Sequence, residues 1–218
     1  MILERYIDLI RAAALFRGIG DPRPMLQCLD ARVKNVPKSD VVLLTGERPR
    51  AIGLLLSGDL RIVKEDSDGN RTLIAGVLPG ETYAEALCCA GVEKSPVTVL
   101  AGEDSEVMLL RYESILGVCP NACGYHTKLI GNMLSILAEK SMYLEERVEV
   151  LAIKSIRAKA LRYLESFAPR DGREFAIPFN REGLADYLGV ERSALSHELA
   201  RMKRDGLIDY NKNRFIVK

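Results

Sequence analysis

Apolar and polar positions follow three different rhythms along this chain. Up to about residue 118, after a short N-terminal helix in MILERYIDLIRAAALF, brief apolar stretches alternate with turn residues. Val41 to Leu44 precedes Thr45-Gly46-Glu47, and Ala51 to Leu56 precedes Ser57-Gly58-Asp59. Leu60 to Lys64 leads into the turn Asp66 to Asn70, and Thr72 to Ala75 is stopped by Pro79-Gly80. Val97 to Ala101 and Glu106 to Leu110 add two more stretches. Short, evenly spaced strands with Gly, Asp and Asn turns predict an antiparallel roll or sandwich.

Between about 121 and 152 the period changes. Ile130, Leu134, Leu137, Ser141, Leu144, Val148 and Leu151 recur at alternating steps of four and three, which puts all seven on one helical stripe. Charged residues such as Glu139, Lys140, Glu145 and Arg147 occupy the other faces. A narrow stripe sustained this long predicts a two-stranded coiled coil. The alternative is a helix packed on its own domain, which ordinarily shows a wider apolar face. Ser141 is a small polar interruption that either fixes register or weakens the seam.

From 153 onward the pattern is helical and then β. Ile153 to Phe167 reads as a helix, with Ile156, Ala160, Leu161 and Leu164 on one face. Ala168 to Gly172 breaks it, Phe175 to Pro178 is a short strand, and Asn180 caps a new helix. The whole is an α+β chain in three parts: a β-roll over 1–120, a connecting helix over 121–152, and a helical C-terminal domain over 153–218.

Composition adds limits. Hydrophobic residues make up 48% and charged residues 28%, ordinary for a globular protein with a core. No apolar run approaches the ~20 residues that span a bilayer. Glu4, Asp8 and Arg11 interrupt the N-terminal apolar positions, unlike a signal peptide, so a cytoplasmic location without membrane contact is expected. Five scattered cysteines argue against a secreted disulfide framework. Charge is uneven: residues 154–218 hold 14 Lys and Arg against 9 Asp and Glu, a balance of +5, and the remainder holds 17 against 21, a balance of −4. That bias predicts a polyanionic partner for the C-terminal part.

The most informative stretch is REGLADYLGVERSALSHELARMKRDGLI, residues 181–208. Leu184, Ala185 and Leu188 form the apolar side of a first helix, and Gly189 supplies a tight turn. Leu195, Leu199 and Met202 form the buried side of a second helix. Arg192, Ser193, Ser196 and His197 are then left exposed near its start, the kind of side chains that read base edges in a major groove. Arg201, Lys203 and Arg204 follow as phosphate contacts. Asp209 to Lys218 reads as a hairpin wing turning at Asn211-Lys212-Asn213, with Lys212 and Arg214 placed for backbone contact.

With these residues in view, the chain resembles the Crp/Fnr superfamily of bacterial regulators over nearly its whole length. The order of roll, long helix and winged helix-turn-helix is similar, as are the phrases LLLSGDLRIVKEDSDGN, LPGE, SIRAKALRYL and LADYLGVERSALSHELARM. The resemblance implies a jelly-roll-like, cyclic-nucleotide-binding-domain-like roll, and a homodimer joined through the long helix. It also implies double-stranded DNA as partner, in the form of a palindromic operator with half-sites about 34 Å apart. RNA polymerase is a further implied partner if the protein activates. By position, Arg192, Ser193, Ser196 and His197 fall where the family reads bases. Cyclic-AMP-type members carry an Arg-Glu pair and a later Arg there, so Arg192-Ser193 and His197 imply a different operator.

The resemblance also places an effector pocket at Tyr83, Ala84, Glu85, Ser95 and Pro96. Cyclic-nucleotide sensors have Gly-Glu before a short helix and later an Arg that pairs with the phosphate. Here Glu85 holds the glutamate position, Ala84 replaces the glycine, and the arginine position falls at or near Ser95, with no arginine between Arg71 and Arg111. A buried phosphate would lack its bidentate cation, and neighbouring Lys94 has no such fork. Cyclic AMP is therefore disfavoured as effector, and another small molecule, or none, is expected. Only Cys28 lies near the N-terminus, against an iron–sulfur cluster, and both histidines lie outside the roll, against haem. Cys119, Cys123 and His126, at helical spacing, are a weak candidate metal set beside the reading as buried thiols at a domain joint. The pair Cys88-Cys89 has no evident cationic neighbour to activate it.

No catalytic triad, phosphate loop or carboxylate pair is apparent, and no enzyme activity is expected. Cupin chemistry in the jelly roll would need histidine ligands that the roll does not contain. The competing reading is a roll that binds a small molecule or metal, with a winged helix serving protein contacts rather than DNA.

Overall fold

The computed structural model describes residues 2–66, 71–117, 124–169 and 171–218. The chain divides into two compact units, Met1–Glu139 and Lys140–Lys218.

The first unit opens with three short helices, α1 (Ile2–Arg5), α2 (Ile7–Ala12) and α3 (Arg23–Cys28). Strands β1 (Arg32–Val36), β2 (Val41–Leu43), β3 (Ala51–Ser57), β4 (Leu60–Glu65), β5 (Arg71–Val77) and β6 (Thr82–Tyr83) follow. Then come α4 (Glu85–Cys89), β7 (Thr98–Ala101), β8 (Ser105–Arg111), α5 (Tyr112–Leu116) and the long α6 (Tyr125–Ala152). The strands form two four-stranded antiparallel sheets, ordered β1-β8-β3-β6 and β2-β7-β4-β5. The expected roll is present, with two strands the sequence pattern did not suggest: polar β1 and two-residue β6.

β3 and β8 explain why some strands read as continuous apolar runs. Leu55 and Val107 point into the core between the sheets, with Leu60, Val77, Tyr83 and Val99. Ile52, Leu54, Leu56, Met108 and Leu110 point the other way, into a second core built with Ile10, Phe16, Met25 and Leu29. A strand buried on both faces has no polar alternation to show. Gly53 pairs with Tyr83 across β3 and β6, and a Cβ there would lie 2.0 Å from the tyrosine ring. Glycine is required because the ring occupies the space a Cβ would take.

Helix α6 corrects the single-stripe expectation. Leu129, Met133 and Ile136 form an inner stripe buried in the helix-covered core of the roll. The expected stripe is offset by one residue and faces outward: Leu134, Leu144 and Val148 are 63%, 56% and 64% exposed. Ser141 and Leu151 are exposed as well, and Ile130 and Leu137 are half-buried. The helix therefore carries both an own-domain face and a bare apolar seam.

In the second unit, α6 ends at Ala152 and α7 (Ile156–Phe167) begins three residues later than the pattern suggested. Ser155 is the cause: its hydroxyl accepts the Ala158 amide at 3.0 Å, capping a new helix. Next come β9 (Phe175–Ala176), α8 (Arg181–Leu188), α9 (Arg192–Arg204), β10 (Ile208–Asn211) and β11 (Arg214–Val217). The three strands make a small antiparallel sheet ordered β10-β11-β9. Ala160, Leu164, Leu184, Leu188, Leu195, Leu199, Met202 and Phe215 share one core beneath the helices.

Candidate nucleic-acid interface

Helices α8 and α9 form the helix-turn-helix. Asn180 caps α8 through the Gly183 amide at 2.8 Å. Gly189 ends it with φ +61, a left-handed conformation that suits glycine. Beneath the turn, the Lys159 ammonium of α7 is buried and donates to the Leu188 carbonyl at 3.0 Å. A cation there meets the negative end of α8 and satisfies one of its open carbonyls. Arg157 of α7 meets Glu198 at 2.5 Å and Asp205 at 2.7 Å, tying α7 to both the middle and the end of α9. Neither Arg157 nor Lys159 was singled out from the sequence, because their partners lie about 30 to 50 residues away.

Leu195, Leu199 and Met202 anchor α9 in the core as expected, which turns Arg192, Ser193 and His197 to solvent. Ser196 departs from the expectation: it is half-buried, and its hydroxyl donates back to the Arg192 carbonyl at 2.9 Å. The Ser193 hydroxyl donates to Glu191, whose carboxylate also accepts the Ala194 amide at 2.8 Å and so caps α9. These bonds hold the Glu191 carboxyl down at about 2, from an ordinary value of 4.5. A folded value below the ordinary one means the cap contributes stability above about 4.5 and loses it as pH falls towards about 2. Protection of the Ala194 amide, its exchange rate relative to that of the unstructured chain at the same pH, should fall as pH drops through that window, and Glu191→Gln should remove this fall. Protection that is flat with pH in the native chain would contradict the capping role.

The basic side chains divide into two sets. Lys203 pairs with Asp209 at 2.5 Å, Arg214 with Glu174 at 2.6 Å, and Arg201 with Glu198 at 3.3 Å. Arg192, Arg204 and Lys212 are exposed and make no ion pair among the described residues. Register closes the β10–β11 hairpin at Asn211 and Arg214, leaving Lys212 and Asn213 as the tip, with Lys212 at φ +56. Arg181 is a further residue the sequence pattern did not reveal. It is half-buried against the wing, its guanidinium carbon 5.0 Å from the Tyr210 ring centre.

In the roll, Tyr83 is buried and its hydroxyl has no hydrogen-bond partner among the described residues; burial pushes its ionisation far up. Ala84 takes φ +62 at the start of α4, a left-handed position held by a residue with a Cβ. Glu85 is buried. Ser95 is buried and occupied by its own loop: its hydroxyl donates to the Val97 carbonyl at 2.7 Å, and its backbone bonds Gly46 and Glu47. Pro96 is exposed. A cavity of about 430 Å³ in this unit is lined by Asn35, Ser57, Asp104 and Glu106 among others, and by none of these five residues.

Cys119 and Cys123 lie outside the described residues. His126 is buried, with its Nε2 3.2 Å from the Ser114 carbonyl oxygen. Burial pushes the Cys88 thiol up to about 11 and raises that of Cys89, so both are held protonated.

A helix-turn-helix with a polar outer face, braced by a hairpin wing, defines a winged-helix DNA-binding protein. Comparison with known families agrees. The cyclic nucleotide-binding domain family matches residues 33–121, and the Crp-like helix-turn-helix domain family matches residues 158–218. Transcriptional activator protein FnrL of Cereibacter sphaeroides is 24% identical over 185 residues, covering 81% of this chain and 72% of FnrL. Transcriptional regulator LdrP of Thermus thermophilus is 24% identical over 181 residues, covering 81% of this chain and 87% of LdrP. Among solved structures, the c-di-GMP responsive global regulator CLP of Xanthomonas campestris superposes with TM-score 0.59 at 14% identity, covering 89% of this chain and 97% of CLP. The chain belongs to the Crp/Fnr superfamily and is a DNA-binding transcription regulator. No helix among the described residues is long and apolar enough to cross a membrane.

Proposed function

We propose that the protein works as a cytoplasmic homodimer that reads a palindromic operator with α9 of each protomer. One observation carries the reading: α9 buries Leu195, Leu199 and Met202 and turns Arg192, Ser193 and His197 to solvent at its N-terminal half. In this reading Arg192 hydrogen-bonds a base edge, with Ser193, Ser196 and His197 as its neighbours in the groove. Arg201, Arg204, Lys203, Lys212 and Arg214 meet the backbone, the ion-paired Arg201, Lys203 and Arg214 only after exchanging a carboxylate for a phosphate. The functional parts are the roll over 1–120, the dimerisation helix over 121–152 and the DNA-binding domain over 153–218. The dimer forms along the outer stripe of α6, supported by the exposure of Leu134, Leu144 and Val148. When the protein activates, RNA polymerase is its further partner. Its action is binding, not catalysis.

A cyclic nucleotide is disfavoured as the effector. The arginine position holds Ser95, whose hydroxyl already serves Val97, and the glycine position holds Ala84. A cyclic phosphate seated there would meet no bidentate cation, and desolvating it would cost several kcal/mol. The roll responds to another small molecule, or acts as a scaffold for a constitutive dimer.

The test is selection of genomic fragments by the purified protein at moderate salt. An inverted repeat with half-sites one helical turn apart is expected. Arg192→Ala should weaken binding to it by about tenfold to a hundredfold and relax preference at one base pair per half-site. Binding without any enriched motif would count against sequence-specific reading.

A further inference from the structure

We infer that Arg181, Tyr210 and Lys203 form a clamp that fixes the wing tip, so that Arg181 serves DNA binding by positioning Lys212 and not by touching a phosphate itself. The inference rests on the reading of Lys212 as a backbone contact.

The clamp draws on both helices of the helix-turn-helix. Arg181 is the first residue of α8, and its guanidinium carbon lies 5.0 Å from the Tyr210 ring centre and 5.8 Å from that of Phe215. Those two rings sit directly opposite in the β10–β11 register and stack at 5.6 Å. Lys203 of α9 places its ammonium 5.3 Å from the same Tyr210 ring, 2.5 Å from Asp209, and 3.4 Å from the Tyr210 carbonyl. Tyr210 is thus engaged by one cation from each helix.

The clamp also reaches the tip. An Arg181 Nη2 donates to the Lys212 carbonyl at 3.5 Å. Lys212 is held at φ +56, the conformation a two-residue hairpin turn asks of its first residue but one that a side chain with a Cβ disfavours without support. Asn213 anchors the other side of the turn, its amide nitrogen donating to the Ile177 carbonyl at 3.2 Å. Desolvation against the wing lowers the Arg181 pKa, consistent with a guanidinium already turned inward. Lys203, counted from the sequence as a phosphate contact, is on this view part of the wing's support.

A double-mutant cycle on the selected operator, measured across a range of salt, tests this. Lys212→Ala should shallow the dependence of log affinity on log salt by about 0.9 for each phosphate that is no longer neutralised. Arg181→Met and Tyr210→Leu should each give the same shallowing with binding about threefold to tenfold weaker. Arg181→Met should add nothing in the Lys212→Ala background, and Arg181→Lys should restore most of the affinity. A further shallowing in that background would make Arg181 a phosphate ligand and overturn the clamp. Amide exchange across residues 211–214 gives a readout without DNA: it should rise in Arg181→Met and Tyr210→Leu but not in Lys212→Ala. Unchanged exchange in the first two also overturns the clamp. If the native protein selects no operator while exchange rises as expected, the DNA-binding reading of Lys212 fails and the clamp stands.

Discussion

Replacing both Leu144 and Val148 by Asp is expected to convert the protein to a monomer and to weaken operator binding by about a hundredfold or more. Both side chains are more than half exposed in the single chain, at 56% and 64%, so little of the folded protomer depends on them. In a two-helix seam each would be buried against its symmetry mate. Four carboxylates would then be brought together away from water, and like charges so placed cost several kcal/mol. A monomer engages one half-site and forgoes the effective concentration that the first bound half provides for the second. Sedimentation equilibrium checks the first part, and titration of a full operator against a half-site checks the second. A double variant that remains dimeric would remove α6 as the dimerisation element. Leu129→Asp serves as the contrast: it lies on the inner stripe, fully buried in the roll's core, and should unfold the protomer.

Gly53→Ala is expected to destabilise the roll by about 3 kcal/mol. The added Cβ would sit 2.0 Å from two ring atoms of Tyr83, a distance no side chain tolerates. The ring cannot swing aside cheaply, because Leu55, Leu60, Val77, Val99 and Val107 surround it in the core between the sheets. The partner variant identifies the cause. In Gly53→Ala/Tyr83→Val the smaller side chain makes room, so the double variant should be less destabilised than the sum of the two single ones. Denaturant titration measures all three. Additive losses would show that Gly53 is needed for some reason other than the ring above it.

Much of this architecture was legible because local signals agreed with the final packing. The strands at 51–56, 60–64 and 106–110 carry their own turns, and the helix-turn-helix is set out by Asn180, Gly189 and the spacing of Leu195, Leu199 and Met202. What escaped the sequence depended on distant partners. β1 reads Arg32-Val33-Lys34-Asn35-Val36, a polar run that becomes a strand only because β8 pairs with it. The inner stripe of α6 was hidden because Leu129, Met133 and Ile136 repeat the steps of the outer stripe one residue earlier, and a period alone does not say which of two faces meets the roll. The site was half legible for the same reason. Side-chain types marked α9 as a reading helix, but nothing local in Lys203 or Arg214 indicates that Asp209 and Glu174 hold them. Arg181 gave no signal, since its meaning depends on two rings some thirty residues further on.

The cap at Glu191 bears on how such a protein would search a chromosome. A helix N-terminus ordinarily attracts phosphate, through its open amides and the positive end of its dipole. Here the Ala194 amide and the Ser193 hydroxyl are already engaged by a carboxylate that stays ionised down to strongly acidic pH. A DNA backbone drifting past the tip of α9 in the wrong register meets a negative charge in place of a ready anion site. Residence on arbitrary sequence is shortened, while a correctly placed base can still recruit Arg192 beside it. Reading helices that begin on an acidic residue should therefore hop between trial sites more often than those that begin on serine or threonine, exchanging grip for sampling rate.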